Sequence, residues 1–157
     1  MTPSATPSGT VSGASDDAAV AEVAGHLRLS VTRLNRVLRQ QADLGLTPTR
    51  LAHLATINRV GPLSLGDLSA LEHVAPPTVT KVINDLERRG LVQRLPDTAD
   101  RRITRVAVTD EGRRTIEAIR SRKDLWLAVR LRDLPPEDFE RLAAAVEVLE
   151  RLTAPAD

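Results

Sequence analysis

The chain has 157 residues, 41% of them apolar and 27% charged, with a formal net charge of +1 and no cysteine. That length fits one ordinary domain with a core of its own. The missing thiols exclude disulfides, thiolate metal sites and cysteine redox sensing, and near-neutrality means that a polyanion would have to be met by a local basic patch.

Residues 1–15 are mostly Thr, Pro, Ser, Gly and Ala, a composition that predicts a disordered tail. From Asp16 to Gln41, the residues Val20, Ala24, Leu27, Val31, Leu34 and Leu38 recur at spacings of four and three. They predict one long helix with a narrow apolar seam. Such a seam packs on its own domain or on a partner chain, and the in-domain reading is the default for an amphipathic helix. Thr47 and Pro48 read as the cap and first residue of a second helix, ended by Gly61-Pro62. Ser64 to Asp67 reads as a capping box that starts a short third helix, with Leu65, Leu68 and Leu71 facing inward.

A turn around Glu72, His73 and Val74 leads to Pro76-Pro77 and a fourth helix, closed near Arg89 by Gly90. On that helix Val79, Val82, Ile83 and Leu86 share one face. The opposite face carries Pro77, Lys81, Asn84, Asp85 and Arg88, with Thr78 and Thr80 on its flanks. Two short helices joined by a tight turn have the proportions of a helix-turn-helix. Leu91 to Leu95 and Arg105 to Val108 then predict the two strands of a hairpin. Thr109 or Asp110 caps a long helix to about Leu131, and Leu134-Pro135-Pro136 breaks it before a last helix bearing Leu142, Val146, Leu149 and Leu152.

The predicted fold is mainly α with a small β part. It is a winged helix-turn-helix over residues 46–111, flanked by N- and C-terminal helices at 16–45 and 112–153 that are candidates for a dimerising layer. No apolar stretch is long enough to span a bilayer, and the N-terminus lacks the parts of a signal peptide. A cytoplasmic protein without a membrane partner is expected.

The polar face of the fourth helix reads by default as a solvated surface. Beside a wing, it reads as a face for double-stranded DNA. Lys81 reaches guanine O6 and N7, Asn84 pairs with adenine, and Thr78 and Thr80 suit phosphate or thymine methyl groups. Asp85 would repel phosphate and is expected to pair with Lys81 or Arg88. In the hairpin loop, Asp100-Arg101-Arg102 alone would be a surface charge cluster, whose ion pairs contribute roughly 0–1 kcal/mol each. At a wing tip the arginines gain from the potential of a narrow minor groove. Asp100 then orients a guanidinium or braces the tip. Arg94 is a further phosphate candidate, and Arg105 either reaches DNA or faces solvent. Residues 76–105 carry seven cations against four anions, so the basic patch that a neutral chain would need is present locally.

His26, His53 and His73 do not have the spacing of a metal site. Neither a phosphate-binding glycine loop nor a catalytic constellation is present, so no metal, no cofactor and no enzymatic activity are expected. His53 reads as a partly buried packing residue. The other reading groups it with Arg36 and Arg39 around a small anionic effector.

The chain resembles the MarR family of bacterial transcription regulators. The resemblance rests on motifs in order: Leu46-Thr47-Pro48, Gly61-Pro62-Leu63-Ser64, Val74 to Lys81, Leu86 to Val92, Asp100-Arg101-Arg102, and Val106 to Gly112. It implies a dimer in which the first and last helices of both protomers intertwine. It also implies a pseudo-palindromic operator and release by a small anionic or phenolic compound. Pro76 to Lys81 would start the recognition helix, Arg102 would be the signature wing arginine, and Arg101 its neighbour near phosphate. Ala75 stands where the family often has Ser, and Pro77 where a small hydroxyl residue is common. A winged-helix module that binds protein instead of DNA is the alternative.

Overall fold

The computed structural model describes residues 12–100 and 102–154. The chain divides into two compact units, Met1–Gln40 and Gln41–Asp157. In the first, the described part is one helix, α1, Ser12–Gln41. Residues 1–11 of the expected tail lie outside the described residues. Residues 12–15 already belong to α1, because lengthening an existing helix adds a hydrogen bond without a second nucleation step. Along its seam Val20, Leu27, Val31 and Leu34 are 68%, 36%, 50% and 45% exposed.

The second unit contains α2 (Pro48–Val60), β1 (Leu63–Ser64), α3 (Leu65–Glu72), α4 (Pro76–Arg88), β2 (Val92–Pro96), β3 (Thr104–Val108), α5 (Asp110–Arg132) and α6 (Pro136–Thr153). Local chemistry sets the boundaries. The Thr47 hydroxyl accepts from the Arg50 amide and Pro48 opens α2. Ser64 and Asp67 exchange both bonds of a capping box at the start of α3. His73 ends α3 in the left-handed region, at φ 52°, and Gly90 does the same after α4 at φ 71°. Thr109 settles the open question of the α5 cap: its hydroxyl accepts from the Gly112 amide and donates to the Gly90 carbonyl at 2.6 Å.

The strands form an antiparallel sheet in the order β1-β3-β2. In the β2–β3 hairpin Val92 pairs with Val108 and Arg94 with Val106. The two-residue β1 is not among the predicted elements, since two residues are too few to show a period. It adds a third strand by pairing Leu63 with Val106, so the sheet returns to the start of the helix-turn-helix.

The core gathers Leu54 and Ile57 of α2, Leu68 of α3, four residues of α4, and Leu91, Val92 and Val106 of the hairpin. Leu71 does not face inward as expected: it is 52% exposed. In an eight-residue helix that turns away at His73, Leu68 alone is fully buried. None of the described residues of α6 is buried, and Phe139, Leu142, Val146 and Leu152 stand open along it.

Gly112 marks the tightest joint. A Cβ there would lie 2.2 Å from the Leu91 carbonyl oxygen and 2.7 Å from a Val108 methyl. Backbone on one side cannot yield as a flexible side chain would. Gly112→Ala is expected to lower the unfolding free energy by about 1–3 kcal/mol, as overpacking of a filled site does. Urea denaturation measures this, and an unchanged midpoint would mean that the α5–hairpin joint is looser than described.

Candidate nucleic-acid interface

The rotation of α4 follows from its apolar stripe. Val79, Ile83 and Leu86 are fully buried and Val82 nearly so. The other side of the helix is thereby turned outward, and Pro77, Thr80, Lys81, Asn84, Glu87 and Arg88 line an open cleft on it. The helix-turn-helix face expected from the spacing is therefore present, but its chemistry differs from the expectation at several positions.

The start of α4 offers no phosphate-binding backbone. Ala75 caps it without a side-chain bond, Pro76 and Pro77 have no N–H, and the Thr78 amide already donates to Ala75 O at 2.9 Å. A helix N-terminus binds anions through unpaired amides, and here those amides are missing or paired. Pro76 and Pro77 present only apolar surface. Thr80 donates its hydroxyl to Pro76 O at 3.0 Å, which leaves its oxygen as an acceptor and its methyl group as a contact surface. The Thr78 side chain stands exposed.

Asp85 pairs with Arg88 as expected, but not with Lys81. Its other partners are Arg89 at 2.9 Å and, from α2, Arg50 at 2.6 Å. Burial opposes its ionisation, but the Arg89 hydrogen bond and the charges of the three arginines win and hold its pKa below the ordinary value. This cluster clamps α2 to α4 and uses up the charge that would otherwise repel a polyanion. Arg94, expected near phosphate, turns instead toward α4: it donates to Glu87 at 3.0 Å and to the Asn84 side-chain oxygen at 2.8 Å. Among the described residues, Lys81 and Arg102 enter no ion pair.

The wing is organised by a residue that sequence reasoning missed. Asp97 is 7% exposed. One of its oxygens accepts from the Ala99 and Asp100 amides at 2.8 and 2.9 Å, and the other accepts from Arg105. Arg105 also reaches the Pro62 carbonyl at 3.4 Å and lies 4.0 Å from Asp67. It therefore neither projects outward nor merely faces solvent, but ties the wing to the β1 end of the sheet. Asp100 braces the tip by accepting from the Arg102 amide at 3.0 Å. This bond is with backbone, and among the described residues no guanidinium donates to Asp100. Arg101 lies outside the described residues. Asp97 did carry a sequence signal: an aspartate after proline at the start of a short loop can bond the amide two residues on.

The candidate effector residues fall in different units of the chain. Arg36 and Arg39 are exposed on α1, in the first unit. His53 belongs to the second unit and is 1% exposed. Its Nδ1 lies 2.9 Å from the Thr49 carbonyl, and Nε2 has no partner. His53 is thus buried, as its packing reading expects. Among the described residues no cluster of side chains suits a metal ion, and no helix is long and apolar enough to cross a membrane.

Helix-turn-helix, three-stranded sheet and extended hairpin together define a winged-helix protein. Comparison with known proteins agrees. The MarR family profile matches residues 46–104. An uncharacterised HTH-type transcriptional regulator of Mycobacterium bovis is 33% identical over 82% of this chain and 91% of its own length. The HTH-type transcriptional repressor MdtR of Bacillus subtilis is 29% identical over 73% of this chain and 79% of its own. A mutant of MepR from Staphylococcus aureus, bound to an oligodeoxyribonucleotide, has the same fold, with a TM-score of 0.67 at 22% identity over 83% of this chain and 98% of that one. The chain belongs to the MarR family of winged helix-turn-helix transcriptional regulators.

The Arg105 guanidinium, then the Asp100 and Ala99 amides, hold the Asp97 carboxyl down to about 2 from an ordinary 3.8. Because folding lowers this pKa, the carboxylate stabilises the wing fully above 3.8 and loses that effect as pH falls through about 2. An NMR titration of its carboxyl carbon should show that low midpoint, and a value near 3.8 would remove the brace. At neutral pH, Asp97→Ala should speed exchange of the Ala99 and Asp100 amides by roughly tenfold or more, the effect of losing bonds to a charged acceptor.

Proposed function

We propose that the protein is a dimeric repressor that reads a pseudo-palindromic operator. Residues 46–111 act as the DNA-binding part, and 16–45 with 112–153 as the dimerising part. The observation that carries the reading is the pairing state of the cations. Arg50, Arg88, Arg89, Arg94 and Arg105 of the winged helix are spent on internal ion pairs, whereas among the described residues Lys81 on α4, Arg102 at the braced wing tip and Arg59 at the end of α2 are not. An unpaired cation on a positioned element has little to lose on meeting phosphate or a base edge, while a paired one must first break its bond.

In this reading α4 enters the major groove. Lys81 contacts guanine or phosphate, and Thr78, Thr80 and the Pro76-Pro77 surface meet sugar-phosphate or thymine methyl groups. Arg102 enters the adjoining minor groove with its backbone already fixed by Asp100. The open apolar faces of α1 and α6 are covered by a second copy, and two recognition helices related by a two-fold read half-sites about one helical turn apart. Occupied operators block transcription, in keeping with the repressor name of the Bacillus relative. Release follows from a small anionic or phenolic compound that binds better to a dimer whose recognition helices no longer match that spacing. Arg36 and Arg39 remain the candidate anion contacts. His53 would act only through packing. The work needs no cofactor and no catalysis.

Selection of bound DNA with the purified dimer identifies the operator. On it, Arg102→Ala should weaken binding roughly tenfold or more while the dimer stays intact by sedimentation, since a minor-groove arginine acts on DNA alone. Affinity should fall steeply with salt through counterion release. Unchanged binding by Arg102→Ala removes the wing assignment, and a flat salt response favours a protein-binding module.

A further inference from the structure

Arg94 stands on β2, and its guanidinium is divided between two residues of α4 one turn apart. Nε donates to Glu87 Oε2 at 3.0 Å, and Nη2 donates to Asn84 Oδ1 at 2.8 Å. A guanidinium carries only donors. The Asn84 amide therefore has one orientation, with its oxygen toward Arg94, because the flipped amide would set N–H against N–H. Glu87 holds the guanidinium through Nε, so the arginine is anchored independently of the amide. What remains for the cleft that Asn84 shares with Thr80 and Lys81 is the Nδ2 end.

We infer that Arg94 is a positioning residue that makes Asn84 a one-sided reader, a hydrogen-bond donor to the operator. The inference rests on the reading that α4 enters the major groove. A free asparagine favours adenine, accepting from N6 through its oxygen while Nδ2 donates to N7. That pair needs both amide atoms turned to the base edge, and here the oxygen is turned to β2. A donor selects acceptors. Guanine offers two, O6 and N7, and thymine one, O4, crowded by its methyl group, whereas cytosine presents an amino donor and adenine sets a donor beside its one acceptor. Guanine is the base expected opposite Asn84. The adenine contact expected from residue type alone is replaced, and Arg94 shapes specificity without touching DNA.

The test measures the affinity of the full-length dimer for every single-base substitution of a selected operator. Asn84→Ala locates the contacted base as the position where discrimination disappears. There the natural chain should prefer guanine over adenine by roughly tenfold, in the range of one good base contact. Arg94→Met keeps an apolar stem but removes the donors, and should shift that single position toward adenine while the other positions keep their preferences. Arg94→Lys, which restores a donor to the amide oxygen, should retain guanine. A uniform loss of affinity in Arg94→Met with unchanged base preference would overturn the inference and make Arg94 a phosphate contact. So would adenine preferred by the natural chain, or Asn84→Ala with discrimination intact at every position. If the natural chain discriminates among no DNA sequences, the groove reading itself fails, and the inference with it.

Discussion

Burial of one stripe of α4 is the constraint on which the rest depends. Val79, Val82, Ile83 and Leu86 enter the core beside Leu54, Ile57 and Leu68. Each fully buried aliphatic side chain contributes about 1.5–3 kcal/mol relative to exposure. That is enough to forbid rotation of the helix about its axis. With the apolar side locked inward, Lys81 and Asn84 have one direction left. The polar face is thus presented by packing, with no need for a residue whose only task is to orient it. The missing side-chain cap at Ala75 is tolerable for the same reason, since tertiary packing outweighs the loss of about 1 kcal/mol from an absent cap.

Charge is used in two ways around this helix. Asp85 collects Arg50, Arg88 and Arg89, and Glu87 takes Arg94. Asp97, nearly buried, takes Arg105 and two loop amides. These acids turn cations into struts between elements: α2 to α4, α4 to β2, and the wing to the β1 end of the sheet. Of the described cations of α4 and the wing, Lys81 and Arg102 stay outside these pairs, which would suit recognition better than a uniformly basic surface. A polyanion then meets particular side chains instead of a diffuse field.

The apolar faces of α1 and α6 follow another logic. Their side chains obey helical periodicity as closely as those of α4, yet they remain open in a single chain. Periodicity reports that a face will be buried but carries no information about which chain will bury it.

Much was legible in the residues themselves. The caps at Thr47 and Ser64, the left-handed glycine after α4, the buried stripe of that helix and the hairpin all follow from short-range rules acting within a few residues. The site face followed too, because it is the complement of the stripe. The partners of polar side chains did not. Arg50 with Asp85, Arg94 with Asn84, Asp97 with Arg105, and β1 with β3 join positions distant in the sequence or too short to carry a pattern, and many cations compete for each acid. Local sequence determined which elements form and which way α4 faces, through hydrogen bonding and hydrophobic periodicity. Only the tertiary structure decided which charges are spent as struts and which are left to meet a ligand, because that choice depends on distances across the fold.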